Sequence, residues 1–399
     1  MKRLLFIAHR IPFPPNKGDK IRSYNILQFL SAHYTIDIAF LVDDISDLQY
    51  LDELKQFASS IFYEVIPTSK KITAAISAFF QKTPISIPYF YSKELQNSID
   101  SHLNNNIPSC VFCFSSPTAE YFFRSRHADQ LKQSSRIIMD LIDLDSLKWS
   151  QYAQHSNPFM GQIYNREARL LARYEEKIAQ EFDALLLVTE SERRLCPPVV
   201  RKKVTVVSNG VDLVKFVPQK RKAKPNNEPV IVFTGAMDYW PNIDAVVWFS
   251  RDIFPLVLAT EPSVRFFIVG SNPKPEVLAL SKEGNIIITG FVEDISEYIA
   301  TADVCVAPLR VARGIQNKVL EAMAMGKAVV ATPEAIEGIS EKGAQQVMVA
   351  HTAEQFAKAI VYLLHEENAR LALGTAARET MELHYSWAKN LAKLSPLMP

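Results

Sequence analysis

Residues 313–321 read Arg-Gly-Ile-Gln-Asn-Lys-Val-Leu-Glu. Residues 315–325 carry a helical pattern that stops at Gly326. A helix start presents unpaired backbone N–H groups and a positive partial charge. Gly314 lets a ligand approach the backbone closely, and Arg310, Arg313 and Lys318 add full charges. Together with the amides near Gln316 and Asn317 they suit a diphosphate. Glu321 follows Lys318 by one turn on the same face, and an ionised carboxylate there matches the vicinal hydroxyls of a ribose. The plain alternative is a surface Lys–Glu pair worth roughly a few tenths of a kcal/mol. The apolar run AMAMG after Glu321 argues instead for a buried acid, which needs a partner.

A second group lies near the start of the chain. In RIPFPPNKGDKIRSYN, prolines stiffen the approach, Gly18 permits a turn, and a helix begins near residue 19. Lys17, Lys20 and Arg22 cluster there, either as a phosphate contact or as a solvated basic turn. His9 ends the first apolar run. In DLIDLDSLKW, Asp140, Asp143 and Asp145 follow an apolar strand, where an acid could act as a general base or bind hydroxyls. Helix capping by Asp145 or Ser146 is the alternative, and Asp143 is the preferred candidate. Glu190 ends another such run.

These residues need a scaffold that presents strand ends. The first half alternates apolar runs at 4–8, 36–41, 61–66, 111–114, 137–140 and 184–188 with amphipathic stretches, one at 162–180. The run VPQKRKAKPNNEP (217–229) reads as a linker. Alternation restarts after it with VIVFTGAM, VRFFIVGS, NIIITGF, ADVCVAPL, KAVVAT and QVMVA. The expectation is an α/β chain of two doubly wound Rossmann-like domains facing a cleft, 1–207 and 208–384. A terminal helix over about 385–399 is expected to pack back on the first domain.

A chain of 399 residues accommodates two cores. Hydrophobic content of 48%, charged content of 22% and a formal net charge of +1 describe a globular protein with no global field for nucleic acid. Cys110 and Cys113 sit in a strand-like run with no second pair nearby, so reduced core thiols are expected rather than zinc. The N-terminal apolar run is too short for a signal peptide, and nothing approaches a membrane span. A cytoplasmic protein is expected, peripheral at most to the inner face of the membrane. Residues 68–95 mix lysines with Phe79, Phe80, Tyr89, Phe90 and Tyr91, and could touch a lipid surface, although a packed helix and loop is the preferred reading.

NKVLEAMAMGKAVVAT resembles the nucleotide-sugar-binding element of GT-B glycosyltransferases, in the large retaining group that builds bacterial polysaccharides. SNGVDLVKF, TGAMDYWPNIDAVVWF, FFIVGS and ITGFVEDISEYIATADVCVAPL precede it in that family's order. AHRIPFPPNKGDKIRSYNILQFL and DLIDLDSLKWSQYA resemble, more narrowly, the sugar transferases associated with exosortase and PEP-CTERM exopolysaccharide loci. The resemblance implies transfer of a hexose from a nucleoside diphosphate sugar to a hydroxyl of a glycan or lipid-linked acceptor. It implies ribose binding by Glu321 and diphosphate binding by Arg313 and Lys318 with the amides near Gln316 and Asn317. It further implies a base pocket at Gly290, Phe291 and Val292, and a sugar-phosphate lining at Gly235 and 237–240. Gly18 and Lys20 would reach the donor phosphate, and His9, Asp140 and Glu190 would lie on the acceptor side. The family commonly has a second glutamate eight positions before the ribose-binding one, where this chain has Arg313. A cation there suits a departing diphosphate rather than an oxocarbenium-like centre, so Arg313 and Asp143 are the catalytic candidates.

No metal or other cofactor is expected, since cations and a helix terminus can serve the leaving group. Two further readings use the same donor site. A sugar-nucleotide epimerase would isomerise the donor without acceptor, and a non-catalytic nucleotide-sugar-binding partner would neither transfer nor hydrolyse it. A dehydrogenase is disfavoured because no GxGxxG follows either domain's first strand.

Overall fold

Apolar runs become parallel strands wherever helices cover both faces, because such strands have no polar side to show water. A computed structural model describes residues 1–67, 69–154, 156–219 and 228–399, with only the backbone of Lys71, Ile72, Ala75, Phe79, Gln81 and Glu283. Thr68, His155 and the part of the expected linker at 220–227 lie outside the described residues. The chain divides into two units, Met1–Val207 with Leu391–Pro399, and Ser208–Asn390.

In the first unit the strands are β1 (Lys2–Ala8), β2 (Tyr34–Val42), β3 (Ser60–Val65), β4 (Cys110–Phe114), β5 (Arg136–Ile142), β6 (Ala184–Leu187) and β7 (Val204–Val206). They form one parallel sheet in the order β3-β2-β1-β4-β5-β6-β7. β4 is buried along its whole length. Both of its cysteines are free, and burial pushes the Cys113 thiol up to about 12. The sheet runs outward in both directions from β1 and β4, so the switch point lies between those two strands. The helix expected over 162–180 spans Pro158–Glu181, because the Asn157 side chain accepts from Met160 N and Pro158 opens the first turn.

The second unit holds β8 (Val230–Thr234), β9 (Arg265–Val269), β10 (Ile286–Gly290), β11 (Val304–Ala307), β12 (Ala328–Ala331) and β13 (Met348–Val349). Their order is β10-β9-β8-β11-β12-β13, again parallel throughout, with the switch point between β8 and β11. A single apolar cluster from Val211 to Tyr385 fills both faces. The helix Glu367–His384 breaks at Tyr385, and Trp387–Leu391 and a 3-10 turn Ala392–Leu397 follow. The chain re-enters the first unit at Leu391 rather than at residue 385, and the Tyr34 hydroxyl donates to the Pro399 carbonyl at 3.1 Å.

Among the described residues, no helix is long and apolar enough to cross a membrane. Within 68–95 the structure forms a helix Lys70–Gln81 and a short turn of helix Ser86–Tyr89, leaving Ile76 and Phe80 exposed.

Candidate functional site

The crevice at the β8/β11 switch point gathers residues from two loops, as expected of an open α/β sheet. After β8 the chain turns at Gly235, whose φ is 157°. A Cβ at Gly235 would sit 2.7 Å from the side-chain amide of Asn242, and one at Gly270 would meet the Gly235 carbonyl at 1.8 Å. The two glycines therefore let the backbone pack beneath Asn242, which lies at the start of the helix Trp240–Trp248. Asn242 is buried, donates to the Ala236 carbonyl at 2.9 Å, and accepts from the Lys318 ammonium at 2.7 Å. The same ammonium stands 4.8 Å from the centre of the Phe233 ring.

Lys318 and Glu321 belong to the helix Asn317–Ala324, which starts two residues later than the expected 315. Gln316 takes the cap position, its side chain turned back to the Arg313 carbonyl at 2.9 Å, so no side chain caps the helix. The backbone N–H groups of Asn317 and Lys318 have no protein acceptor among the described residues, and remain open to an anion. Burial lowers Lys318 to about 8 against the attraction of Glu321. Burial likewise raises Glu321 to about 7 against Lys318 and Lys215. Glu321 is 9% exposed, and its carboxylate has no hydrogen-bond or ion-pair partner among the described residues.

The neighbouring cations are engaged differently from expectation. Arg310 holds Asp244 in a two-pronged pair and lies over Trp248, so its charge is already answered. Arg313 donates from Nη1 to Glu337 at 3.1 Å while its buried Nε has no hydrogen-bond partner among the described residues. Gly314 is left-handed at φ 65°, and a Cβ at Gly338 would meet its carbonyl at 2.3 Å, which clamps this loop to the segment that carries Glu337. The Asn317 side chain accepts weakly from Asn209 at 3.4 Å. Gly290 is left-handed at the end of β10, Phe291 is 71% exposed, and Val292 packs against the core.

In the first unit several expectations are corrected. Lys20 is 2% exposed and bound to Asp47 at 2.5 Å, so its charge is spent inside the fold and not offered to a phosphate. Gly18 opens the helix Gly18–Ser31 with no left-handed torsion. Asp140 is wholly buried and takes two bonds from Arg22, which also donates to the Val207 carbonyl, so an acceptor cannot reach it. Glu190 begins the helix Glu190–Leu195 and pairs with Arg193 at 2.9 Å, an exposed pair of adjacent turns. Asp143 is half-buried, its Oδ1 has no hydrogen-bond partner among the described residues, and burial raises its carboxyl against a side-chain bond with Glu192. His9 is buried and bonds through Nε2 to Asp19 at 3.1 Å. An open groove of about 810 Å3 lies between the helices Asp145–Gln154 and Pro158–Glu181, and none of the residues singled out from the sequence as a site candidate lines it.

Asn242, Glu337 and Asp19 were not legible as site residues. Asn242 could have been noticed as a polar residue just inside a helix that follows the strand–glycine turn at Gly235. Glu337 and Asp19 carry no local signal.

Residues 228–366 match the family described as Glycosyl transferases group 1. The chain is 20% identical over 376 residues to an uncharacterized 44.6 kDa protein in the cps region of Klebsiella pneumoniae, with 90% of each chain covered. It is similar to the structure of sucrose-phosphate synthase from Thermosynechococcus elongatus, at 17% identity and TM-score 0.73, covering 100% of this chain and 98% of that one. It is also similar to HepE of Anabaena in complex with UDP-glucose, at 12% identity and TM-score 0.68, covering 99% of each. The shared feature is the fold, two parallel α/β sheets of the GT-B type.

Proposed function

We propose that this protein is a group 1 glycosyltransferase that moves a hexose from a nucleoside diphosphate sugar to a hydroxyl of a glycan or lipid-linked acceptor. One observation carries the reading. A buried carboxylate with no hydrogen-bond or ion-pair partner among the described residues, Glu321, stands one turn from a part-buried ammonium, Lys318, at a helix start whose amides are open. A fold does not keep an unanswered acid beside open N–H donors for its own stability. A ligand carrying hydroxyls at one end and a diphosphate at the other answers both.

In this reading Glu321 accepts from the ribose hydroxyls. Lys318 and the N–H groups of Asn317 and Lys318 hold the diphosphate, and Gly314 and Gln316 shape the approach. Arg313 exchanges Glu337 for the departing diphosphate and stabilises its charge. Phe291, exposed at the end of β10, covers the base together with Val292. Asp143, whose carboxyl is raised by burial, hydrogen-bonds acceptor hydroxyls. These groups supply the positive charge without a metal. The UDP-glucose in the HepE structure makes uridine the first base to try, and the cps-region relative makes polysaccharide synthesis the first context. The narrower resemblance to exosortase-associated transferases, and retention of anomeric configuration, belong to the same proposal. For a lipid-linked acceptor, Ile76 and Phe80 would rest on the membrane surface, which vesicle flotation reads.

The test is a thermal-shift series with pyrophosphate, with uridine, guanosine and adenosine diphosphates, and with their sugars. A ligand that binds only the folded state raises the melting point. One nucleoside diphosphate should stabilise strongly, and its sugar should be consumed on adding acceptor. No shift with any of them would refute the reading. Isomerisation of the donor without acceptor would favour an epimerase, and binding without turnover a non-catalytic partner.

A further inference from the structure

Asn242 lies in the first turn of the helix Trp240–Trp248 and is 5% exposed. A polar side chain this deep needs partners at both of its ends. Its amide nitrogen donates to the Ala236 carbonyl at 2.9 Å, which fixes the direction of the amide. The oxygen therefore faces the Lys318 ammonium of the helix Asn317–Ala324, at 2.7 Å. Gly235 makes room for this, since a Cβ there would sit 2.7 Å from the amide nitrogen. All of these groups belong to the second unit.

An ammonium has three N–H donors. Among the described residues Lys318 makes one hydrogen bond, to Asn242, and the Phe233 ring stands 4.8 Å from it. The charged group that acts on it is Glu321, on its own helix. From β8 and from the helix Trp240–Trp248 it meets Phe233 and Asn242, both neutral. A carboxylate in place of Asn242 would hold the ammonium but cancel its charge. An apolar side chain would take away its hydrogen bond, and burial would push it towards the neutral amine. The amide holds the ammonium in place and leaves its charge and two donors for an anion.

We propose that Asn242 is the positioning residue for Lys318, aiming a charged ammonium at the diphosphate without neutralising it. The proposal rests on the transferase reading above, in which that diphosphate is the leaving group. Asn242 acts through Lys318 and not on the donor itself. A merely structural role would need only the bond to the Ala236 carbonyl, which ties the turn after β8 to the first turn of the helix. Such a role would be indifferent to the charge state of Lys318.

The variants N242D, N242L and K318A of the full chain test this. One readout is the lysine ε-carbon NMR signal that K318A removes, followed against pH without ligand. In the wild type it should titrate at about pH 8. N242D should move that midpoint up and N242L should move it down, each by about one pH unit or more. The second readout is titration calorimetry with inorganic pyrophosphate near neutral pH. Both variants should bind it about 10-fold or more weakly, N242D because the charge is cancelled and N242L because the amine is partly neutral and no longer aimed. N242L added to K318A should weaken binding no further, since Asn242 acts through the lysine. A midpoint that stays in place, or pyrophosphate affinity within about threefold of wild type, would overturn the proposal, and N242D decides it alone if N242L does not fold. A wild type that binds neither pyrophosphate nor any nucleoside diphosphate would strike the transferase reading together with this one. A wild type that shows the expected losses but transfers no sugar would strike that reading and leave Asn242 in its role.

Discussion

Lys318 and Asn242 are 76 residues apart in the chain, yet the ammonium donates to the amide oxygen at 2.7 Å, while the carboxylate of Glu321 one turn further on has no hydrogen-bond or ion-pair partner among the described residues. The crevice thus holds one cation by a neutral acceptor, and one acid that only the more distant charges of Lys318 and Lys215 attract among the described residues. A neutral partner leaves the full charge of Lys318 available to an anion, whereas a carboxylate would have cancelled it.

That asymmetry predicts a separation of binding determinants. Replacing Glu321 by alanine removes charge-assisted bonds to ribose, each worth about 1.5–3 kcal/mol. Affinity for the preferred nucleoside diphosphate should fall about 10- to 100-fold, while affinity for inorganic pyrophosphate stays level. Lys318→Ala should weaken both ligands. Titration calorimetry with the two ligands reads the difference, and equal losses for both in Glu321→Ala would contradict the ribose role.

The same acid should give the ligand-free protein a pH signature. In the unfolded chain Glu321 loses its proton near the ordinary 4.5, but in the fold it keeps it until about 7. The folded state binds more protons between those values. The stabilisation from this group is therefore complete below 4.5 and lost as pH rises through about 7, an effect on the order of 3 kcal/mol. Glu175, raised by burial to about 8 against its bonds from Ser146, adds a loss of the same sign at slightly higher pH. Lys318 acts oppositely in sign. Its folded value of about 8 lies below the ordinary 10.5, so stability is recovered only as pH climbs from 8 towards 10.5. Glu321→Gln should melt several degrees above wild type at about pH 8 and match it at about pH 4. Part of the gain is returned because Lys318 loses a neighbouring negative charge. Melting curves across that range read the result, and parallel curves for the two proteins would contradict it.

Arg313 and Glu337 are partly exposed, at 21% and 35% of their side chains, so their pair contributes at most about 1 kcal/mol to the fold. If Arg313 leaves that partner to meet a departing diphosphate, Glu337→Gln removes a competitor. KM for the donor should fall about two- to fivefold in Glu337→Gln, whereas Arg313→Ala should keep its melting point and lose about 100-fold or more in kcat. Steady-state kinetics on the two variants measures this. An Arg313→Ala enzyme with unchanged kcat would leave the arginine a surface residue.

How much of this was legible follows from the range of each interaction. The strands were readable because a parallel strand buried on both faces is a continuous apolar run, as in CVFCF of β4. Lys318 and Glu321 were readable as a pair because three residues on a helix is a local relation. The start at Asn317 rather than residue 315 depends on how Gln316 turns back to Arg313, which no pattern of residue types reports. Lys20 and Lys318 look alike in sequence, each a lysine at a helix start. Asp47 silences the first and Asn242 leaves the second charged, and both partners are distant in the chain. Asp140 misled for the same reason. An acid at a strand end suggests chemistry, but the residue that claims it, Arg22, lies 118 positions away.

The Arg22–Asp140 pair makes the last prediction, because both side chains are almost wholly buried. Arg22 ties the helix Gly18–Ser31 to β5 and to the Val207 carbonyl at the end of the sheet. Removing either partner leaves the other's charge buried without the ion pair that offsets its desolvation. Arg22→Ala and Asp140→Ala should each cost about 3–5 kcal/mol in urea unfolding of the first unit, far more than an exposed pair such as Glu190–Arg193. The double change Arg22→Met with Asp140→Leu should cost less than either single one, since it removes the stranded charge and refills the volume. Nucleoside diphosphate binding, read on the same samples, should be unaffected by all three wherever the protein remains folded, because no residue of the β8/β11 crevice takes part in this pair. A loss of donor affinity in Asp140→Ala at full retention of fold would return Asp140 to the site.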